Sequence, residues 1–190
     1  MIGTNAETAN DMRAALIDEI QNYQTNDAAE QVCIPQFLTL LNEPQCFYRN
    51  CFPAHITGSA LLLNVTGDKV LMNHHKFLNL WMQFGGHADG DEDILAVAIK
   101  ETMEESGITS FKPITSDIID LDIHEISANP KKNEPAHFHY DIRYVMQMTD
   151  EQPPIISHES IALKWMTFDE AMDKGDDSLK RLIKKAIQMT

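Results

Sequence analysis

The segment Gly85–Ile108, GGHADGDEDILAVAIKETMEESGI, constrains this chain more than any other stretch. It joins a glycine pair, an acidic loop and a helix-forming run that carries Glu101, Glu104 and Glu105. An α-helix turns about 100° per residue, so residues three and four apart share a face. The three glutamates therefore fall within one narrow arc. Each like-charged pair on a bare helix costs roughly 0.2–0.5 kcal/mol, so the cluster does not serve helix stability and makes sense if a cation neutralises it. Hard oxygen ligands in this number suit Mg2+, with Mn2+ as a substitute, and not Zn2+. Leu95, Ile99 and Met103 recur at four-residue spacing on the other side, beside Thr102 and Ser106, while Ile94, Val97 and Ala98 lie above the glutamates. The helix is expected to pack on a sheet through its apolar N-terminal half and to stop at Gly107, a residue that tolerates the left-handed conformation.

The same residues resemble the Nudix box: a glycine, five residues, a glutamate, seven residues, then arginine-glutamate-aliphatic-any-glutamate-glutamate-any-glycine-aliphatic. The matching positions are Gly86, Glu92, Lys100, Glu101, Thr102, Glu104, Glu105, Gly107 and Ile108, with every spacing kept. Lys100 stands where the pattern has arginine, and Thr102 where it has an aliphatic residue. The box covers 23 residues directly, and the order of elements around it extends the likeness to about the last three-quarters of the chain. The resemblance implies an α/β/α sandwich with a mixed sheet. It also implies hydrolysis of a nucleoside diphosphate linked to another moiety, with Mg2+ (Mn2+ as substitute) held by Glu101, Glu104, Glu105 and the Gly86 carbonyl. Glu92 and Lys100 would brace the loop against the helix, more loosely than an arginine fork would. The base that activates water is Glu104, within the box, or Glu159, from a later loop.

A net charge of −14, from 29 acidic and 15 basic residues, argues against duplex DNA, RNA or an anionic membrane as a partner, because each needs a basic surface. A small phosphate substrate is not excluded, since bound metal supplies local positive charge. Three cysteines, Cys33, Cys46 and Cys51, form no disulfide framework and suit a reducing compartment. No basic region followed by an apolar run opens the chain, and no stretch reaches the ~20 apolar residues of a membrane span. The expectation is a cytoplasmic protein. At 190 residues it has one full domain and a small appendage.

Residues 1–44 read as an N-terminal helical extension, with Met12, Ala15, Leu16, Ile20 and Tyr23 at helical period. Asn26 or Asp27 caps a second helix, which Pro35 should kink or break. This extension packs on the main domain, residues 45–190, or on a second copy to form a homodimer. Cys46, Cys51 and His55 offer only three soft ligands at no familiar spacing, so zinc is not inferred there. His55–Met72 reads as a β-hairpin turning at Thr66-Gly67-Asp68, and Lys76 at its end is a candidate for substrate phosphate or a solvated strand end. His87 follows the glycines near the acidic cluster, where it touches a metal-bound water or the substrate, or else bonds a loop carbonyl. Asp91 or Asp93 caps the helix.

Ile118–Ile126 alternates with period two, a strand. Lys131 and Lys132 in the following loop are phosphate candidates. His137, His139, Asp141 and Arg143 then alternate with apolar residues and share one strand face. So polar a row faces water or lines a cleft, and with His124 on the neighbouring strand it forms a substrate contact or a second metal site. A short strand at Ile161–Met166, a helix capped by Thr167 and Glu170, and a final helix to Met189 complete the chain.

Three other readings compete. A Nudix-fold protein could bind a nucleotide or regulate a partner without catalysis; Lys100 and Thr102 allow it, while the retained acids argue against it. An isopentenyl-diphosphate isomerase-like enzyme needs a cysteine by the box, and none is there. A calcium loop starting at Asp89 fails because its twelfth position is Lys100.

Overall fold

In the computed structural model, residues 5–130 and 133–190 are described, with side chains from residue 12 onward. The elements run α1 (Asn5–Asn22), α2 (Ala28–Leu40), β1 (Ala54–Leu63), β2 (Lys69–His75), β3 (Trp81–Met82), β4 (Phe84–His87), α3 (Ile94–Ser106), β5 (Phe111–Pro113), β6 (Asp120–Ile126), β7 (His137–Met148), β8 (Ser160–Thr167), α4 (Phe168–Lys174) and α5 (Asp177–Ile187). The sheet is mixed. β1 and β7 run parallel at its centre from Ala54↔Phe138 to Leu63↔Gln147. Antiparallel partners flank them: β2, β4 and β8 on one side, β5 and β6 on the other.

The period-two alternation of β1 builds two different cores. Ile56, Ala60 and Leu62 face α1, α2 and α3, and meet Leu16, Ile20, Phe37, Val97 and Ala98 in one buried cluster. Leu61 and Leu63 face the other way and pack with Val145, Met166, Leu179, Leu182 and Ile183 under α4 and α5. Helices thus cover both sheet faces, the α/β/α arrangement the sequence implied. The N-terminal helices lie on the same side as α3.

α3 lies close on β1 because Gly58 has no side chain; a Cβ there would sit 2.8 Å from Ile94 Cγ2. Its buried residues are Ile94, Val97, Ala98, Thr102, Glu105 and Ser106. Ile94, Val97 and Ala98 pack in the N-terminal half as expected, while Leu95 and Ile99 are only partly buried against the core and Met103 is 38% exposed. The packing face and the carboxylate face overlap, so Glu105 is pulled inward. Asp93 caps the helix by accepting from the Ala96 N–H, and Gly107 ends it at φ 69°.

Two local expectations meet the structure differently. The Thr167–Glu170 capping box forms. Pro35, by contrast, sits inside α2 without ending it. The carbonyl that loses its donor belongs to Gln31, an exposed residue, where water can replace the missing bond. Lys131 and Lys132 lie outside the described residues. Among the described residues no helix is long and apolar enough to cross a membrane.

Candidate metal and substrate site

β4 delivers Gly85 and Gly86 to the flank of α3. The Glu105 carboxylate accepts the Gly85 N–H at 3.0 Å and the Asn73 side-chain amide at 3.3 Å. Glu101, one turn earlier, faces Gly86 so closely that a Cβ there would lie 2.5 Å from its carboxyl carbon. Glu104 is exposed beside them. Burial raises the Glu105 carboxyl to about 7, against the Gly85 bond that favours its charge, and Glu101, Glu159 and Glu104 push it further up. Burial likewise raises Glu101, which Lys100 partly offsets and Glu104 and Glu159 reinforce. Negative charge is therefore concentrated here beyond what nearby cations balance. Such a set of oxygen donors fits a divalent hard cation.

Glu159 belongs to this neighbourhood, as its influence on both carboxyls shows. It is exposed on the approach to β8, and its backbone carbonyl accepts the Lys76 N–H at 2.8 Å. Lys76, also exposed, thus stands on the same rim.

The bracing pair takes another form than expected. Glu92 does not meet Lys100; it meets Arg13 of α1 at 2.5 Å. Arg13 also donates to the Pro44 carbonyl and lies 4.9 Å over the Phe47 ring. Lys100 turns to Glu101 at 3.7 Å. A short ammonium stem on α3 reaches its helix neighbour, while a guanidinium from outside the box takes the loop acid. Sequence reasoning missed Arg13, and no local signal points to it. Thr102 fits its site without strain: it is fully buried and its hydroxyl donates to the Ala98 carbonyl at 2.7 Å.

Of the expected polar row, the structure divides the members. His87 pairs in register with Thr57, so it projects from the sheet face opposite Gly86 and Glu101. Its ring lies 5.1 Å from His55 and 5.0 Å from His139; alternation along β4 separates it from the glutamates next to it in sequence. Asp141 is buried and accepts from Thr57 at 2.9 Å and Ser59 at 2.6 Å, with Gln83 nearby. Arg143, 2% exposed, is spent on Asp120, to which its Nε donates at 2.7 Å. Its assignment to substrate is corrected on that ground: a buried, paired guanidinium is not free to meet a phosphate. His124 bonds Asp122 at 3.0 Å. Burial and the neighbouring charges lower His87 to about 4, and burial with its histidine neighbours lowers His139 further.

Gly86→Ala tests the close approach of β4 to Glu101. The new methyl forces the carboxylate aside, and misplacement on the order of 1 Å costs about 10²-fold in rate. The expected result is that loss in kcat with little change in melting temperature. An unchanged kcat would remove Glu101 from the reacting centre.

The chain and its fold are similar to known proteins. The NUDIX domain family model matches residues 54–186. A relative from Lactococcus lactis subsp. cremoris (strain MG1363), named a probable DHNTP pyrophosphohydrolase, is 26% identical over 141 residues, 74% of this chain and 82% of its own. The fold is similar to a C. elegans Ap4A hydrolase binary complex, with TM-score 0.57 and 19% identity over 70% of this chain and 95% of that one. It is equally similar to the E. coli dihydroneopterin triphosphate pyrophosphohydrolase, with TM-score 0.57 and 15% identity over the same shares, 70% and 95%. The chain belongs to the NUDIX domain family, as a hydrolase acting on diphosphate bonds.

Proposed function

We propose that this protein is an Mg2+-dependent pyrophosphohydrolase that cleaves a nucleoside diphosphate linked to another moiety. The observation that carries the reading is Glu101 set against Gly86 and Glu105 held on the Gly85 N–H, two partly or fully buried carboxyls that Glu104 and Glu159 push further up, with charge left over for a cation. Glu101, Glu104 and Glu105 hold the ion, and the Gly86 carbonyl adds an oxygen. When bound, Mg2+ supplies positive charge to a diphosphate and lowers the pKa of coordinated water. Glu159, exposed and close enough to raise the carboxyls of Glu101 and Glu105, accepts the proton of the attacking water. Lys76, on the same rim, neutralises the phosphate that leaves. Residues 45–190 form the hydrolase domain and residues 1–44 its helical extension.

Retained acids alone would also allow a nucleotide binder. Burial of Glu105 against the Gly85 N–H favours an ion at the site, because a charged carboxylate is costly to bury unless a cation pairs with it, and turnover is what separates an enzyme from a binder. The test is phosphate and nucleotide release from a panel of dihydroneopterin triphosphate, dinucleoside polyphosphates, ADP-ribose and nucleoside triphosphates, with and without Mg2+. Turnover of at least one member, abolished by a chelator and restored by Mg2+, is expected. Tight binding without turnover across the panel would make the protein a binder.

A further inference from the structure

We propose that His55, His137 and His139 form a second metal site, for a divalent transition ion of the Zn2+ class, on the sheet face opposite the glutamates. The site goes beyond the hydrolytic reading and does not rest on it. Sequence spacing suggested a histidine face on β7; the fold adds His55 from β1, because His55 pairs with His139 in the parallel register. The three residues' ligand nitrogens all lie within 4.8 Å of one another. His137 Nε2 and His139 Nε2 are 3.3 Å apart. Two nitrogens bound to tetrahedral zinc, each about 2.1 Å from the ion, are separated by about 3.4 Å, so this pair is already spaced for it. The widest pair needs to close by at most about 1.4 Å.

Backbone carbonyls set the tautomers of two of the rings. His55 Nδ1 faces the Cys51 carbonyl at 3.3 Å, and His137 Nδ1 faces the Pro135 carbonyl at 2.8 Å. A carbonyl only accepts, so each Nδ1 carries the proton and each Nε2 presents a lone pair inward. That is the outer-shell arrangement of metal-bound imidazoles. A hydrogen-bonded pair of histidines would account for His137 and His139. It does not account for His55 Nε2, which is buried and has no partner among the described residues. His87 Nε2 is in the same condition and stands beside the three rings as the nearest further nitrogen donor. His55 and His137 are 0% and 1% exposed, and the Phe52 ring covers His137 at 5.5 Å. Burying polar nitrogens with nothing to bond is costly, and an ion removes that cost. Imidazole nitrogens suit Zn2+, Co2+ or Ni2+, whereas Mg2+ prefers oxygen, so the two sites select different ions.

The test titrates chelator-stripped full-length protein with Zn2+ alone, by calorimetry, in the presence of saturating Mg2+. One equivalent is expected to bind, to persist in Glu105→Gln, and to weaken at least a hundredfold in His137→Asn and in His139→Gln. His139 is partly exposed, so its variant reads out the site even if the change at the fully buried His137 costs the fold. In the parent protein, Co2+ should show the intense visible bands of a four-coordinate nitrogen site. Zn2+ binding that Mg2+ displaces, that Glu105→Gln abolishes or that both histidine changes leave intact would overturn the proposal. So would weak, octahedral-type Co2+ bands or the absence of binding. Hydrolysis plays no part in any of these readings, so failure here leaves the hydrolytic proposal standing.

Discussion

Glu105→Gln loses about 10²–10⁴-fold in kcat at saturating Mg2+, because an ion and the charge it brings against a diphosphate are worth several kcal/mol. The amide keeps the shape of the carboxyl and can still accept the Gly85 N–H, so lost activity reports lost charge. The same change should stabilise the metal-free protein at pH 8. Burial raises the Glu105 carboxyl from an ordinary 4.5 to about 7, so the unfolded chain releases this proton first as pH rises. Stability associated with Glu105 is complete below pH ~4.5 and is lost as pH rises through ~7. Glutamine carries no such loss. The variant's melting temperature should exceed that of the parent at pH 8, match it near pH 4, and lose its advantage when Mg2+ is added. Retention of more than about a tenth of the parent rate would take Glu105 out of the metal site.

Asp120→Ala should destabilise the fold by about 3–5 kcal/mol, the cost of removing one partner from a buried ionic group. Asp120 is fully buried. It accepts from Arg143 Nε at 2.7 Å and Arg181 Nε at 2.8 Å, and lies 3.1 Å from Lys185 Nζ. Lys185 in turn reaches buried Glu30 of α2 at 2.5 Å. The group ties β6, β7, α5 and α2 together, and alanine leaves three cations facing each other with less to oppose them. For a chain of this size the melting temperature should fall on the order of 10 °C. Burial by itself would raise the Asp120 carboxyl, but Arg143, Arg181 and Lys185 hold it below its ordinary value. Its contribution is therefore present above pH ~3.8 and is lost as pH falls below that. The parent and variant should converge in stability at strongly acidic pH. A variant within about 1 kcal/mol of the parent at pH 7 would mean that the cations rearrange without cost.

How far the sequence discloses this molecule follows from the range of the forces involved. The glutamate helix, its cap narrowed to Asp91 or Asp93, its stop at Gly107, the Thr167–Glu170 box and the period-two strands are set by neighbours a few residues apart, and the sequence reads them directly. The packing face of α3 is not set locally. It depends on Gly58, some forty residues earlier, which lets Ile94 and Val97 close on β1 and turns Glu105 inward. His55 looked like part of a short cysteine cluster until the parallel pairing of β1 with β7 placed it beside His137 and His139. Arg143 looked like a ligand because its row is polar, yet Asp120 on the next strand accounts for it. Glu92 misled for the same reason: its partner lies 79 residues away in sequence.

That last contact changes what should be regarded as one piece of protein. The stretch matching the family begins at residue 54, yet the acidic turn leading into the glutamate helix is anchored by a guanidinium well before it. Leu16, Ile20, Phe37 and Leu41 also line the interior on that side. A fragment cut at the boundary of the match would lose both the anchor and seven of the 23 buried residues that line this core. Limits drawn from likeness and the packed unit do not coincide here, and expression of the shorter piece would ask the acidic turn to hold its shape without that anchor.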